Sequence, residues 1–343
     1  MAVTLHDVAR RAGVSIKTVS NVINDYPHIR PATRSRVEEA IAELGYTPNL
    51  TARNLRSGRT GAIALAVHDL ALNYFAELAA AVIAEAESAG FAVLVEQTGG
   101  ERDRELELLQ SPRRKLTDGL IFSVRGMGQE DASRLDVPYP LVMLGERVFD
   151  ENVDHVTMRN VEAAKAATAF LLGSGRRRIA VVGAHRDEVV GSAGLRLRGH
   201  REALEEVGIP VDPDLITYAD PWHRFNGAAS VRALIESGVA FDAVFAFNDA
   251  LAFGAMRALD EAGLRVPEDV AVIGFDDVDE AEYSIPSLTS VDPGRAWIAH
   301  AAVGRLLERI TAPETAGPHR LMLADYRIVE RESATAGAAR TSA

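Results

Sequence analysis

From residue 62 onward, short apolar runs alternate with segments of helical periodicity, and this alternation restricts the fold more than any other feature of the chain. The first series contains AIALAV, FAVLVEQ and DGLIF, and the second contains RRIAVVG, DAVFAF and DVAVIGF. Strands that helices cover on both faces need near-continuous apolar runs. The pattern therefore predicts an α/β core made of two lobes, each built on a doubly wound parallel sheet.

The two series divide the predicted core, 61–330, into two lobes. We assign 61–158 and 291–317 to the first lobe, and 159–290 and 318–330 to the second. The last thirteen residues, 331–343, read RESATAGAARTSA and have no apolar periodicity. Because such a segment has little apolar surface to bury, we predict that it is disordered.

A basic module precedes the acidic core. Residues 1–60 contain nine Lys and Arg against five Asp and Glu, a net charge of +4. Since the whole chain has a net charge of −12, residues 61–343 have a net charge of −16. An acidic surface repels phosphate groups. If the chain binds DNA, we therefore expect the contact to lie within the first sixty residues.

Residues 5–24 have the pattern of two short helices joined by a tight turn. Gly13 can adopt the positive φ that ends a helix, and Ser15 can cap the next one. A third amphipathic helix is predicted for 31–44, with Pro31 in its first turn and Gly45 at its exit. This predicts an all-α helix-turn-helix headpiece at 1–46, although a purely structural helical hairpin would show a similar pattern. Small or apolar residues form the two buried faces: Leu5, Val8, Ala9 and Ala12, then Val19, Val22 and Ile23.

If the second helix enters the major groove of DNA, its first residues face the base edges. Ile16, Lys17 and Asn21 are then candidates for base or methyl contacts, and Thr18 and Ser20 for phosphate contacts. Ile16 lies off the predicted buried stripe, but it could instead be a core residue. Three further residues complete the predicted DNA-binding set in this module: Thr4, Ser15 and Asn24.

The segments TLHDVARRAGVSIKTVSNVIN and TRSRVEEAIAELGYTPNLTARNLRSGRTGAIAL resemble the lactose/galactose repressor family, and the resemblance runs through the whole chain. It implies that 47–60, which by composition could be a flexible tether, form a hinge helix on operator DNA. Leu55 then occupies the place of a leucine that wedges into the minor groove. Arg53 and Arg56 would lie near phosphates, and Ala52 would allow close approach.

Two positions depart from the family pattern. Arg30 stands before the third helix where the family usually has a serine cap, which predicts a slightly weaker helix start. The recognition positions are occupied by Ile16, Lys17 and Asn21, so the operator sequence cannot be transferred from a relative.

The resemblance also implies the partners: double-stranded palindromic operator DNA, a second copy of the chain and a small-molecule effector, a sugar rather than a nucleobase, that releases or recruits the protein. No leucine heptad follows residue 331, so we expect a dimer rather than a tetramer. The N-terminus lacks the features of a secretory signal and no apolar stretch is long enough for a membrane span. We therefore expect a cytoplasmic protein that needs no cofactor or metal.

Polar residues that follow the predicted strands are candidates for the effector site, because ligands bind at the carboxyl ends of strands in open α/β sheets. The resemblance implies such contacts in the second lobe for Arg196, Trp222, Asn248 and Asp276, and in the first lobe for Asp69, Asn73 and Phe75. Alternative roles are helix capping for Asn248 and Asp276, packing for Trp222 and an ion pair between the lobes for Arg196. Three further charged residues could face the cleft or simply be surface charges: Glu146, Arg147 and Asp292.

Two other function classes compete with a ligand-responsive regulator. A sugar-binding transport protein would have a similar, periplasmic-binding-protein-like core, but it would carry an export signal and no headpiece. A sugar-modifying enzyme would need a catalytic base or nucleophile, and we find no GxSxG, HExxH, P-loop or correctly placed GxGxxG motif. The sequence therefore favours a regulator that is not an enzyme.

Overall fold

The computed structural model of the chain divides into two compact units, residues 1–60 and 61–343. It describes residues 3–23, 26–46, 59–150 and 152–336. Within these ranges, no helix combines the length and the apolar character that crossing a membrane requires.

The N-terminal unit contains the three predicted helices, α1 (Leu5–Ala12), α2 (Ile16–Ile23) and α3 (Pro31–Leu44). Gly13 ends α1 with φ 64°, and Gly45 ends α3 with φ 59°. The Ser15 hydroxyl accepts the backbone N–H of Thr18 at 3.1 Å and so caps α2, as predicted. Arg30 precedes α3 without a capping side-chain hydrogen bond. The helices share a core that includes the fully buried side chains Val8, Val19 and Val37.

The first lobe is built on a parallel sheet, and its core lies on both faces of that sheet. Side chains on both faces of β1, β3 and β4 are largely buried and, apart from Ser123, apolar, which explains why these strands lack alternation. In chain order its elements up to the crossover are β1 (Ala62–Val67), α4 (Asn73–Ser88), β2 (Ala92–Gln97), α5 (Arg102–Gln110), β3 (Leu120–Ser123), β4 (Leu141–Leu144) and β5 (Asp154–Met158).

The second lobe repeats this architecture with two helix pairs packed on a second sheet. Phe245, Phe247 and Phe275 are fully buried at its centre. In chain order its elements are α6 (Asn160–Gly173), β6 (Ile179–Ala184), α7 (Ser192–Glu206), β7 (Ile216–Tyr218), α8 (Arg224–Glu236), β8 (Ala243–Ala246), α9 (Asp249–Glu261), β9 (Ala271–Phe275), α10 (Glu280–Tyr283) and β10 (Thr289–Asp292).

The chain then crosses between the lobes twice more, through α11 (Arg295–Thr311), β11 (Leu321–Ala324) and β12 (Arg327–Val329). The sheet orders are β11-β5-β4-β3-β1-β2 and β12-β10-β9-β8-β6-β7, with only β12 antiparallel to its neighbour among the paired strands described. The predicted assignment of 318–330 to the second lobe is therefore wrong for β11, which pairs with β5. The assignment of 291–317 to the first lobe is wrong at its start, because β10 pairs with β9.

The prediction of a disordered tail is wrong for 331–336. Ser333 is fully buried, donates its hydroxyl to the carbonyl of Val272 at 2.7 Å and accepts the N–H of Thr289 at 2.8 Å. Ala334 is also buried, in the core of the second lobe. Residues 337–343 lie outside the described part of the chain.

A buried histidine between α6 and α7 makes the stability of the second lobe depend on pH. The Nδ1 atom of His200 lies 3.1 Å from the hydroxyl of Thr168. Burial lowers the pKa of His200 from 6.5 to about 4, because the charged imidazolium would be desolvated. The unfolded chain therefore binds this proton more readily, so the stability is full above pH 6.5 and falls as the pH approaches 4.

Protonation of His200 should lower the free energy of unfolding by about 3 kcal/mol between pH 7 and pH 4. Because His200→Gln has no imidazole to protonate, we expect this part of the decrease to be absent in the variant. Urea unfolding of both proteins across this range measures the difference between their pH profiles. Parallel profiles would contradict the assignment of this pH dependence to His200.

Candidate functional site

A cavity of about 350 Å³ lies between the two lobes, at the carboxyl ends of their strands. Residues from both lobes line it, as expected for open α/β sheets. All seven residues predicted to contact the effector line this cavity: Asp69, Asn73, Phe75, Arg196, Trp222, Asn248 and Asp276.

Arg196 lies on α7 with only 3% of its surface exposed, and its guanidinium is held by contacts on several sides. It donates to the Oδ1 of Asn160 at 2.8 Å and to the carbonyl of Phe247, and it stacks on the ring of Phe275 with 3.5 Å between Cζ and the ring centroid. These partners belong to the second lobe. The alternative role of an ion pair between lobes is therefore not supported.

Asp276 follows β9 with φ 116°, in the left-handed region that few non-glycine residues adopt. Its carboxylate lies 4.0 Å from the Arg196 guanidinium. Burial raises the pKa of Asp276 from 3.8 to about 7, although the positive charges of Arg196 and Arg295 oppose this shift. Near neutral pH the carboxyl can therefore donate or accept a hydrogen bond in the cavity.

Asn248 caps a helix, as the alternative interpretation predicted, and it also lines the cavity. Its Oδ1 caps α9 by accepting the N–H of Leu251 at 2.8 Å, and its Nδ2 donates to the carbonyl of Trp222 at 3.2 Å, while the residue also lines the cavity. Trp222 is half-buried, and its indole N–H donates to the carbonyl of Gly183 at 2.9 Å. These bonds fix the orientation of both side chains.

The first-lobe residues contribute to the cavity and also contact the second lobe. Asp69 lies 3.1 Å from the Nε2 of His223, and Asn73 accepts from Arg224 at 3.5 Å. The ring of Phe75 packs edge-on against His68, with 4.3 Å between centroids. Contacts between Asp69 and His223 and between Asn73 and Arg224 therefore join the two lobes at residues that line the cavity.

Two of the three further charged residues line the cavity. Glu146 is buried and accepts from Asn160 at 2.7 Å and from Ser192 at 2.9 Å, both in the second lobe. Arg147 pairs with Glu188 across the cleft. The third, Asp292, is not among the residues that line the cavity. It accepts the N–H of Gly294 at the turn into α11, and it pairs with Arg327.

The sequence interpretation missed other residues that line this cavity. His68 directly follows β1, Arg125 follows β3 and His185 follows β6. Polar residues that follow a strand are candidates for the ligand site, which is how Asn248 was selected. Applied to every strand, the same criterion would have selected these three residues. Glu188, Ser192 and Arg224 gave no such signal, because they enter the cavity from loops and helix starts.

On the headpiece, α2 presents polar side chains opposite its buried face. Lys17 is exposed, whereas Asn21, Thr18 and Ser20 are half-buried. Ile16 is also half-buried and packs against the headpiece core. Part of its side chain therefore acts as a core residue, which was the alternative to a DNA contact. The Ser15 hydroxyl caps α2 by accepting the N–H of Thr18, and the Thr4 hydroxyl donates to the carboxylate of Asp7. The other predicted DNA contacts lie outside the described residues: Asn24, Ala52, Arg53, Leu55 and Arg56.

Comparison with known proteins assigns the chain to a family. Residues 4–49 match the model described as "Bacterial regulatory proteins, lacI family", and residues 168–334 match the "Periplasmic binding protein-like domain". The HTH-type transcriptional regulator CelR of Thermobifida fusca is 36% identical over 340 residues, which cover 96% of this chain and 98% of CelR. The chain belongs to the LacI family of bacterial regulatory proteins.

Solved structures agree with this assignment. The lac repressor dimer bound to operator and the anti-inducer ONPF has a TM-score of 0.82 and 29% identity, over 97% of this chain and 99% of that one. A CelR–cellobiose complex has a TM-score of 0.71 and 33% identity, over 96% and 99%. The predicted resemblance and fold class are confirmed. This LacI-family protein is a DNA-binding regulator of transcription and not an enzyme.

Proposed function

We propose that this LacI-family regulator is a repressor that binds a near-palindromic operator as a homodimer, and that a small molecule in the interlobe cavity sets its affinity for DNA. The effector is a sugar, and its binding releases the protein from the operator. The predicted DNA contacts of the headpiece and of the segment 47–60, including Leu55, belong to this proposal. Since operator DNA is in the bacterial cytoplasm, the proposal places the protein there.

The observation that carries the proposal is that both lobes contribute side chains to one cavity. Arg196 and Asp276 lie in one lobe, and Asp69 and Asn73 lie in the other. A ligand that contacts both lobes binds most tightly to one arrangement of them, so it shifts the population toward that arrangement. Binding of effector and of DNA are then linked, and each changes the affinity for the other by the same factor.

The chemistry of the cavity supports a sugar. Arg196, Asn248 and Asp276 offer hydrogen-bond donors and acceptors for hydroxyl groups, and Trp222 offers a flat face for a ring. The relative CelR has been solved with cellobiose, a sugar. A transport function is not supported by the family assignment.

Selection of bound sequences from a random DNA pool, at a stated salt concentration, tests the proposal. We expect the purified protein to enrich one near-palindromic sequence, and one sugar from a panel of sugars and nucleobases to lower its recovery. Enrichment of no sequence under any condition would reject specific DNA binding. A compound that raises the recovery would show that the effector recruits the protein to DNA instead of releasing it.

Replacing Lys17 by alanine tests how α2 reads the operator. If Lys17 contacts a base edge, we expect Lys17→Ala to reduce discrimination at one position of the operator by roughly 1 to 3 kcal/mol. Arg36→Ala removes an equal charge from an exposed position on α3 and serves as the control. Uniform weakening at every position in Lys17→Ala would show that Lys17 contacts a phosphate.

A further inference from the structure

A second cavity of about 470 Å³, called the outer cavity below, shares part of its lining with the interlobe cavity. Four residues line both cavities: Arg125, Arg147, His185 and Glu188. The first two belong to the first lobe and the last two to the second. The two cavities therefore adjoin at these four side chains, which come from both lobes.

Two ion pairs and one histidine lie where the two cavities adjoin. Arg125 pairs with Asp220 and Arg147 pairs with Glu188, in both cases across the two lobes. The Arg125–Asp220 pair is partly exposed, and exposed ion pairs contribute little to stability, so hydroxyl groups can compete for its members at small cost. The Nε2 of His185 is buried and has no hydrogen-bond partner among the described residues. It can accept or donate one bond to a group placed at this junction.

An aromatic side chain stands in each cavity, at opposite ends of one short segment. Trp222 lines the inner cavity, and Tyr218, four residues earlier, lines the outer cavity. Tyr218 ends β7 with 44% of its surface exposed, and the Arg186 guanidinium lies 4.2 Å from its ring centroid. Flat aromatic faces next to hydrogen-bonding groups are suited to sugar rings, because a sugar has apolar C–H faces and polar edges.

We propose that the outer cavity is a second sugar subsite, so that the effector is an oligosaccharide of at least two rings. The inner ring lies beside Trp222 and the next ring lies at Tyr218, with its hydroxyls bound by Arg125, Arg147 and His185. This inference rests on the proposed sugar effector. A phosphate in the outer cavity is disfavoured, because the carboxylates of Glu188 and Asp220 already pair with two of its arginines and would repel it.

Calorimetry with matched ligands tests this subsite on the full chain. The probes are disaccharides with their constituent sugars, namely cellobiose and maltose with D-glucose and xylobiose with D-xylose, together with glucose 6-phosphate. We expect one disaccharide to bind about ten-fold more tightly than its own monosaccharide. Tyr218→Ala should remove most of this difference and leave the monosaccharide Kd unchanged.

Tyr283→Ala is the matched control, since Tyr283 is 72% exposed in the same lobe and lines neither cavity. It should leave both affinities unchanged. Equal affinity for a disaccharide and its monosaccharide, an unchanged disaccharide Kd in Tyr218→Ala, or tighter binding of glucose 6-phosphate would each overturn the outer subsite. Binding of monosaccharides alone would leave the proposed function intact, whereas binding of no sugar in the panel would reject the sugar effector as well.

Discussion

Arg196→Ala is expected to weaken effector binding by about 100-fold, because it removes a buried cationic donor from the cavity. The substitution also leaves Asn160 and the carbonyl of Phe247 without their hydrogen-bond donor. In addition, the pKa of Asp276 should rise further, since the Arg196 charge is the largest influence that opposes its burial. The site would then be both less charged and less ordered.

The loss of folding stability in Arg196→Ala is expected to be smaller than the sum of these contacts, about 1 to 3 kcal/mol, which is the usual cost of leaving buried hydrogen-bond acceptors unpaired. Burial lowers the pKa of Arg196 itself, which shows that holding the guanidinium away from water costs free energy. Removing the side chain recovers that cost. Urea unfolding measures the stability, and calorimetry with the effector selected above measures the affinity.

Arg198→Ala provides the control on the same helix. Arg198 lies two residues further along α7, is exposed and pairs with Glu202 at 3.3 Å. We expect its removal to change stability by less than about 0.5 kcal/mol and effector affinity not at all. If Arg196→Ala bound the effector as tightly as the parent protein, the cavity would not be the effector site.

Gly254→Ala is expected to destabilise the second lobe by about 4 kcal/mol or more, because α8 and α9 cross with their backbones in contact. A Cβ atom at Gly254 would lie 1.9 Å from the carbonyl oxygen of Arg224 and 2.7 Å from the nitrogen of Ala228. On the partner helix, a Cβ at Gly227 would lie 2.2 Å from the carbonyl oxygen of Leu251. Backbone atoms cannot move aside as a flexible side chain can, so the helices would have to separate.

Gly304→Ala is the matched substitution in α11, where an added Cβ meets nothing within 4 Å. We expect it to raise stability by roughly 0.5 to 1 kcal/mol, because alanine loses less conformational entropy in a helix than glycine. Urea unfolding of the two variants measures both effects. Equal and small effects at both positions would show that the α8–α9 crossing tolerates a wider separation.

Effector binding should also fail in Gly254→Ala. Asn248 stands at the start of α9, and Trp222 and His223 stand just before α8. The spacing of these helices therefore sets the distance between three residues that line the cavity. A variant that unfolds at lower urea but binds the effector normally would contradict this coupling.

The elements with strong periodic or capping signals were predicted well. Gly13, Ser15 and Gly45 act within a few residues of their own positions, so their roles can be inferred from local sequence. The buried strands of each sheet were equally clear, because helices on both faces require apolar side chains throughout. The positions of Asn248 and Asp276 at the cavity were predicted for a related reason, since each closely follows such a strand.

The sequence did not correctly predict that the last two strands, β11 and β12, belong to different lobes. The segment LMLADYRIV contains two short strands of similar character, and nothing in their composition states which sheet each one joins. The structure places β11 beside β5 and β12 beside β10. Likewise, Ser333 is polar and was assigned to a disordered tail, but its hydroxyl donates to the carbonyl of Val272 and accepts the N–H of Thr289, which holds it in the second lobe.

The sequence by itself determined the helix-turn-helix headpiece, the two parallel-sheet lobes, the family and the residues at strand ends, because each depends on local periodicity or on a short motif. Only the tertiary structure decided which side chains meet across the cleft. The pairs Asp69–His223, Arg125–Asp220 and Arg147–Glu188 join residues that are far apart in sequence. Surface charges carry no local signal for such partners, since the contact exists only when the two lobes face each other.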